Sequence, residues 1–97
     1  MNLGNEKLPI EKTPIEKIAE YHGLTSQKEK LIEEAAELIV AITHGNLRNT
    51  IEEIADVQIL IDQIIYLLDI GREVWNEREY KIQRHLLQIE KEEEQNG

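Results

Sequence analysis

Apolar residues recur along most of the chain at three- and four-residue spacings, and no stretch shows the period-two alternation of a half-buried strand. Leu31, Ile32, Ala35, Leu38, Ile39 and Ile42 form one such series. It predicts a helix opened by a capping box of Ser26 and Glu29 and closed at Gly45, a residue type that tolerates positive φ. A shorter helix precedes it, with Thr13 as N-cap, Pro14 at the first helical position and Glu16 three residues after the cap. It runs to about Tyr21, where His22-Gly23 ends it. A third helix, about Thr50 to Ile70, starts from Asn49 with Glu52 or Thr50 with Glu53 and is apolar around most of its circumference. Ile51, Ile54, Ile61, Ile65 and Leu68 line one stripe, and Val57, Leu60, Ile64 and Leu67 another. Such a helix is normally packed on more than one side. Gly71 then breaks the pattern. Val74, Trp75, Ile82, Leu86 and Ile89 mark a last amphipathic helix that dissolves into the charged tail "EKEEEQNG".

The expected class is therefore all-α, an antiparallel bundle of about four helices joined by short connections. A flexible arm at residues 1–12 leads into a single domain at 13–95. A chain of 97 residues buries only roughly 60–70 % of the surface that its unfolded form exposes. Self-association is the natural remedy, and a homodimer or homotetramer in which the third helix joins the interface is expected.

Charge and composition remove several functions. Twenty acidic residues against eleven basic ones leave a net charge of −9, which argues against nucleic-acid binding, since that depends on cations neutralising phosphates. The absence of cysteine excludes disulfides, thiolate metal sites and cysteine nucleophiles. Met1 to Lys12 has no signal-peptide pattern, and no membrane association is expected, so cytoplasmic location is the default.

The acidic residues near the apolar stripes are the candidate chemistry. Glu34 and Glu37 are helical neighbours, as are Glu53 and Asp56 on the following helix, and like charges at this spacing cost stability. If the two helices are antiparallel, both pairs lie within a few turns of the connecting loop and face each other across one groove. A hard divalent cation such as Mg²⁺, which takes oxygen ligands and shares substrate phosphates, supplies the counter-charge that such a groove needs. The plainer alternative is a solvated helix edge in which Lys30 offsets Glu34 four residues on.

Taken together, "EEAAEL" and, after a short loop, "EEIADV" resemble the paired E-x-x-E and E-x-x-D motifs of the MazG-like, all-α nucleoside triphosphate pyrophosphohydrolases. "YHGLTSQKEKLIEEAAEL", "EEIADVQILIDQI" and "KIQRHLLQI" extend the similarity over most of residues 21 to 89. The resemblance implies Mg²⁺-dependent cleavage of a nucleoside triphosphate, or its deoxy form, between the α and β phosphates, with Mn²⁺ a possible substitute. Matched by position, Glu34, Glu37, Glu53 and Asp56 would be the metal ligands, with Glu34 or Glu37 as general base. Lys81 and Arg84 match the K-x-x-R of the family's closing segment and would meet the phosphates, with Lys30 a further candidate. On spacing alone, Lys81 pairs equally well with Glu77.

The competing function is a non-enzymatic helical interaction protein that forms oligomers through its apolar central helix. A carboxylate-bridged di-iron bundle is disfavoured, because neither His22, His44 nor His85 follows a glutamate by three. No segment has the ligand pattern of an EF-hand.

Overall fold

The computed structural model describes residues 11–97, and all its regular structure is helical: α1 (Pro14–His22), α2 (Leu24–His44), α3 (Leu47–Leu68) and α4 (Gly71–Asn96). Most of the arm expected at residues 1–12 lies outside the described residues. Lys12, which is inside them, forms an ion pair with Glu20 of α1, and the Tyr66 hydroxyl of α3 donates to the same carboxylate at 3.1 Å.

Local chemistry explains the boundaries. The Thr13 hydroxyl accepts from the Glu16 amide at 3.2 Å while the Glu16 carboxylate accepts from the Thr13 amide at 2.8 Å, the reciprocal capping box with Pro14 inside it. Gly45 ends α2 at φ 67°, ψ 24°, and the amides of Gly45 and Asn46 return to the carbonyls of Ile42 and Ala41. This is the left-handed cap that favours glycine.

Four boundaries differ from expectation. Ser26 does not cap α2, which begins two residues earlier at Leu24. Gly23, at φ 83°, gives its amide to Ala19 of α1 and its carbonyl to the Gln27 amide of α2. One glycine thus closes one helix and opens the next. The start of α3 moves to Leu47 because Asn46, not Asn49 or Thr50, caps it, accepting from the Asn49 amide at 3.0 Å. Gly71 begins α4 instead of breaking the chain; the break falls at Asp69, a left-handed residue at φ 54°, whose cap returns amides to Tyr66 and Ile65. The charged tail also stays helical to Asn96, in keeping with the good helix propensity of its Glu, Lys and Gln residues.

α2 and α3, joined by a short turn, pack along each other as antiparallel neighbours, and α1 closes over both. α4 packs on α3 alone, at the corner where the two helices meet, and buries no residue. The bundle is thus built by α1, α2 and α3, with α4 reaching away from it. The apolar side chains buried among the described residues are Ala19, Ala41 and Leu60, joined by Gln27, Gln63 and Glu34. Leu60 is the large member of that core. Leu60→Ala should therefore lose about 2–5 kcal/mol in chemical denaturation. Leu87→Ala, on the exposed length of α4, should change stability by less than about 0.5 kcal/mol. Equal losses would show that α4 contributes to the core.

Candidate active site

The antiparallel packing of α2 on α3 brings Glu34, Glu37 and Glu53 together, one carboxylate oxygen of each lying within 4.8 Å of the others. Glu34 is buried at the interface, Glu53 is half-buried and Glu37 is exposed. Asp56 stands outside this triad but lines a cavity with Glu34, and its charge acts on Glu53. Lys30 reaches the cluster from one turn earlier on α2, its Nζ 3.2 Å from Glu34 Oε1 and 3.8 Å from Glu33 Oε2.

Three carboxylates this close cannot all carry charge without cost, and they divide the burden unequally. Glu53 is pushed up to about 7, first by the hydrogen bond it shares with Glu34, then by burial and by the charges of Glu34, Glu37 and Asp56. Glu34 is held below the usual carboxylate range by that same hydrogen bond and by Lys30. Glu37 is raised, chiefly by the charge on Glu34. Glu53 Oε2 is buried with no hydrogen-bond partner. An orphaned carboxylate oxygen inside an all-oxygen cluster fits a hard divalent cation, which supplies both the missing partner and the missing charge.

Cavities flank the cluster on both sides. One of about 510 Å³ is lined by His22, Gln27, Lys30, Glu34, Asp56 and Leu60. The other, of about 580 Å³, is lined by Glu37, Val40, His44, Asn46, Asn49 and Glu53. Beneath the first, Gln27 Nε2 donates to Gln63 Oε1 at 2.6 Å between two buried side chains. Gln63 escapes a reading based on charged motifs. Its signal was its place seven residues after Asp56, on the same inward side of α3 as Leu60. Asn49 was legible only as a helix start, and Asn46 only as part of the connection after Gly45.

Lys81 and Arg84 are not brought to the carboxylates within one chain, because α4 does not pack on α2. Lys81 lies 3.9 Å from Glu77, and the Arg84 guanidinium sits 5.4 Å from the centre of the Tyr80 ring.

The sequence model of phosphoribosyl-ATP pyrophosphohydrolase (PRA-PH) matches residues 7–68, which carry all four acidic positions. The fold and the match define a member of the MazG-like, all-α nucleoside triphosphate pyrophosphohydrolase superfamily. Within it, the chain belongs to the phosphoribosyl-ATP pyrophosphohydrolase family. No curated protein and no solved structure matches the chain significantly. α4 follows the matched residues.

The charge distribution has a measurable consequence. An acid with a raised folded-state pKa binds its proton more tightly folded than unfolded, so stability falls as pH rises from the ordinary value of 4.5 through about 7. In the absence of divalent ions, the thermal midpoint should drop between about pH 5 and about pH 8, and Glu53→Gln should flatten that drop. Identical pH profiles for the two proteins would show that Glu53 is not the strained carboxylate.

Proposed function

We propose that this protein is a Mg²⁺-dependent pyrophosphohydrolase that cleaves a nucleoside triphosphate between the α and β phosphates, releasing a nucleoside monophosphate and pyrophosphate. The observation that carries the reading is the convergence of Glu34, Glu37 and Glu53 around an orphaned carboxylate oxygen, with Asp56 beside them. Ribonucleoside and deoxyribonucleoside triphosphates are substrate candidates. Phosphoribosyl-ATP, which names the matched family, joins them.

Glu34, Glu37, Glu53 and Asp56 would hold the cation. Bound there, Mg²⁺ neutralises phosphate charge and lowers the pKa of water. The protein's own groups do the rest. Lys30 keeps Glu34 charged and offers a cation to the triphosphate. Glu37, exposed and raised in pKa, is placed to take the proton of the attacking water, with Glu34 the other candidate base. The two cavities leave room for the nucleotide on either side of the scissile bond.

The active form is a homodimer or homotetramer. Its support is the small set of buried apolar side chains beside the exposure of Ile32, Ile39, Ile51, Trp75 and Leu86, among others. In such an assembly Lys81 and Arg84 would meet the phosphates from the α4 of a neighbouring copy.

The test is pyrophosphate release from a panel of NTPs, dNTPs and phosphoribosyl-ATP, with and without Mg²⁺. Glu37→Gln and Asp56→Asn should each cut turnover by roughly 100- to 10,000-fold while helicity and size persist. Lys81→Ala should weaken apparent substrate affinity without affecting the thermal shift produced by Mg²⁺. No turnover on any substrate, together with no stabilisation by Mg²⁺, would overturn the reading in favour of the interaction protein.

A further inference from the structure

The buried amide pair keeps the same register between α2 and α3 as the acidic groups. Gln27 lies seven residues before Glu34 on α2, and Gln63 seven residues after Asp56 on α3. Seven residues make two helical turns, about 10 Å along the axis. The cavity of about 510 Å³ runs between the two levels. Its charged end holds Lys30, Glu34 and Asp56, the groups assigned above to the cation and the phosphates. Its other end is lined by His22, Ser26, Gln27, Ile59 and Leu60. Apolar walls with a few placed polar groups suit a flat ring, whose faces need surface and whose edge needs partners. The distance from one end to the other is the span from the α-phosphate of a nucleotide to the far edge of its base.

Gln27 is 6 % exposed and Gln63 2 %. Gln27 Nε2 donates to Gln63 Oε1 at 2.6 Å. That bond uses one of the two N–H groups of Gln27 and leaves its Oε1 without a partner among the described residues. The oxygen is not sealed in, because among those residues the fully buried side-chain oxygen or nitrogen that lacks a partner is Glu53 Oε2. It therefore opens onto the cavity that Gln27 lines. Burying a polar group costs free energy unless it is hydrogen-bonded, so a half-satisfied amide at a cavity wall points to a partner that enters the cavity.

The open half of the amide sets an acceptor beside a donor. Each nucleobase carries a complementary pair on its edge, in one of two orders. Adenine and cytosine put an amino group beside a bare ring nitrogen, whereas guanine and uracil put a carbonyl beside a ring N–H. An amide free to turn over would match either order. Gln27 is not free: turning it alone would set its oxygen against Gln63 Oε1 and break their bond, and Gln63 is the more deeply buried of the two.

We propose that Gln27 reads the base of the substrate and that Gln63 is its positioning residue. Held in one orientation, Gln27 divides nucleotides by the amino or keto group of the base and not by the size of its ring. This rests on the nucleotide reading above and names the side chain that makes the site selective.

The test compares kcat/KM for ATP, GTP, CTP and UTP in the full-length protein. The α,β-methylene analogues, which cannot be cleaved at that bond, are compared for binding by calorimetry with Mg²⁺. The expected result is one sense of preference, amino or keto, shared by the purine pair and the pyrimidine pair and amounting to about 10-fold or more. Gln27→Met should remove it in both pairs while helicity and the thermal shift produced by Mg²⁺ persist. Gln63→Met frees the amide to turn and should raise kcat/KM for the disfavoured bases, a gain that lost packing alone does not produce. Gln63→Glu keeps an acceptor for Gln27 Nε2 and should keep the preference. Should Gln27→Met fail to fold, Gln27→Glu decides, because an acceptor without a donor should favour ATP over GTP and CTP over UTP whatever the parent prefers. A preference that follows ring size, or none, overturns the proposal. So does an equal loss on all four nucleotides in Gln27→Met, or no nucleotide binding at all. Analogues bound with the amino or keto preference, without turnover of any triphosphate, would overturn the catalytic reading and leave this one standing.

Discussion

Everything at this site depends on a repulsion that the fold does not relieve by itself. Glu34, Glu37 and Glu53 occupy helical positions beside the apolar contacts that hold α2 to α3, so the helices cannot pack without bringing the carboxylates together. Lys30 offsets one of them. Glu53 answers by holding its proton to about pH 7 and leaving one oxygen without a partner. The arrangement is an unfavourable part of an otherwise ordinary helix pair, and unfavourable parts of this kind are typical of functional sites.

The scaffold around the cluster is economical. A single glycine turns the chain from α1 into α2, and an asparagine cap two residues beyond the α2 terminus starts α3. These short corners leave little freedom in how α2 and α3 meet. The buried Gln27–Gln63 pair adds a directional contact to a core otherwise made of small or flexible groups. A hydrogen bond between buried amides is satisfied only in one alignment, so it works against sliding of α2 along α3.

Much of this was legible in the residues. The Thr13–Glu16 box and the Gly45 cap fall where spacing predicts, and the two acidic pairs sit close enough to the loop for antiparallel packing to join them. The starts of α2 and α3 were misjudged because several polar residues qualify as caps, and the choice between them depends on the preceding turn. Ser26 lost to Gly23 because α1 ends too late to leave a separate cap. Asn49 and Thr50 lost to Asn46, which Gly45 delivers directly. Asp56 lies at the margin of the triad, since three residues along a helix is a full rotation less some 60°, enough to turn a short side chain aside. The place of α4 was beyond reach because its apolar residues meet few partners in their own chain.

That last helix has a mechanical aspect. α4 is 26 residues long and joins the bundle through Asp69 and Ile70, with Asp69 in a left-handed conformation that non-glycine residues seldom adopt. At the usual rise per residue the helix is about 39 Å long, so a swing of about 10° at that joint would carry its far end about 7 Å. Asp69 and Ile70 alone connect the two helices, so the torsions at that corner set where Lys81 and Arg84, on the middle of α4, stand relative to the bundle.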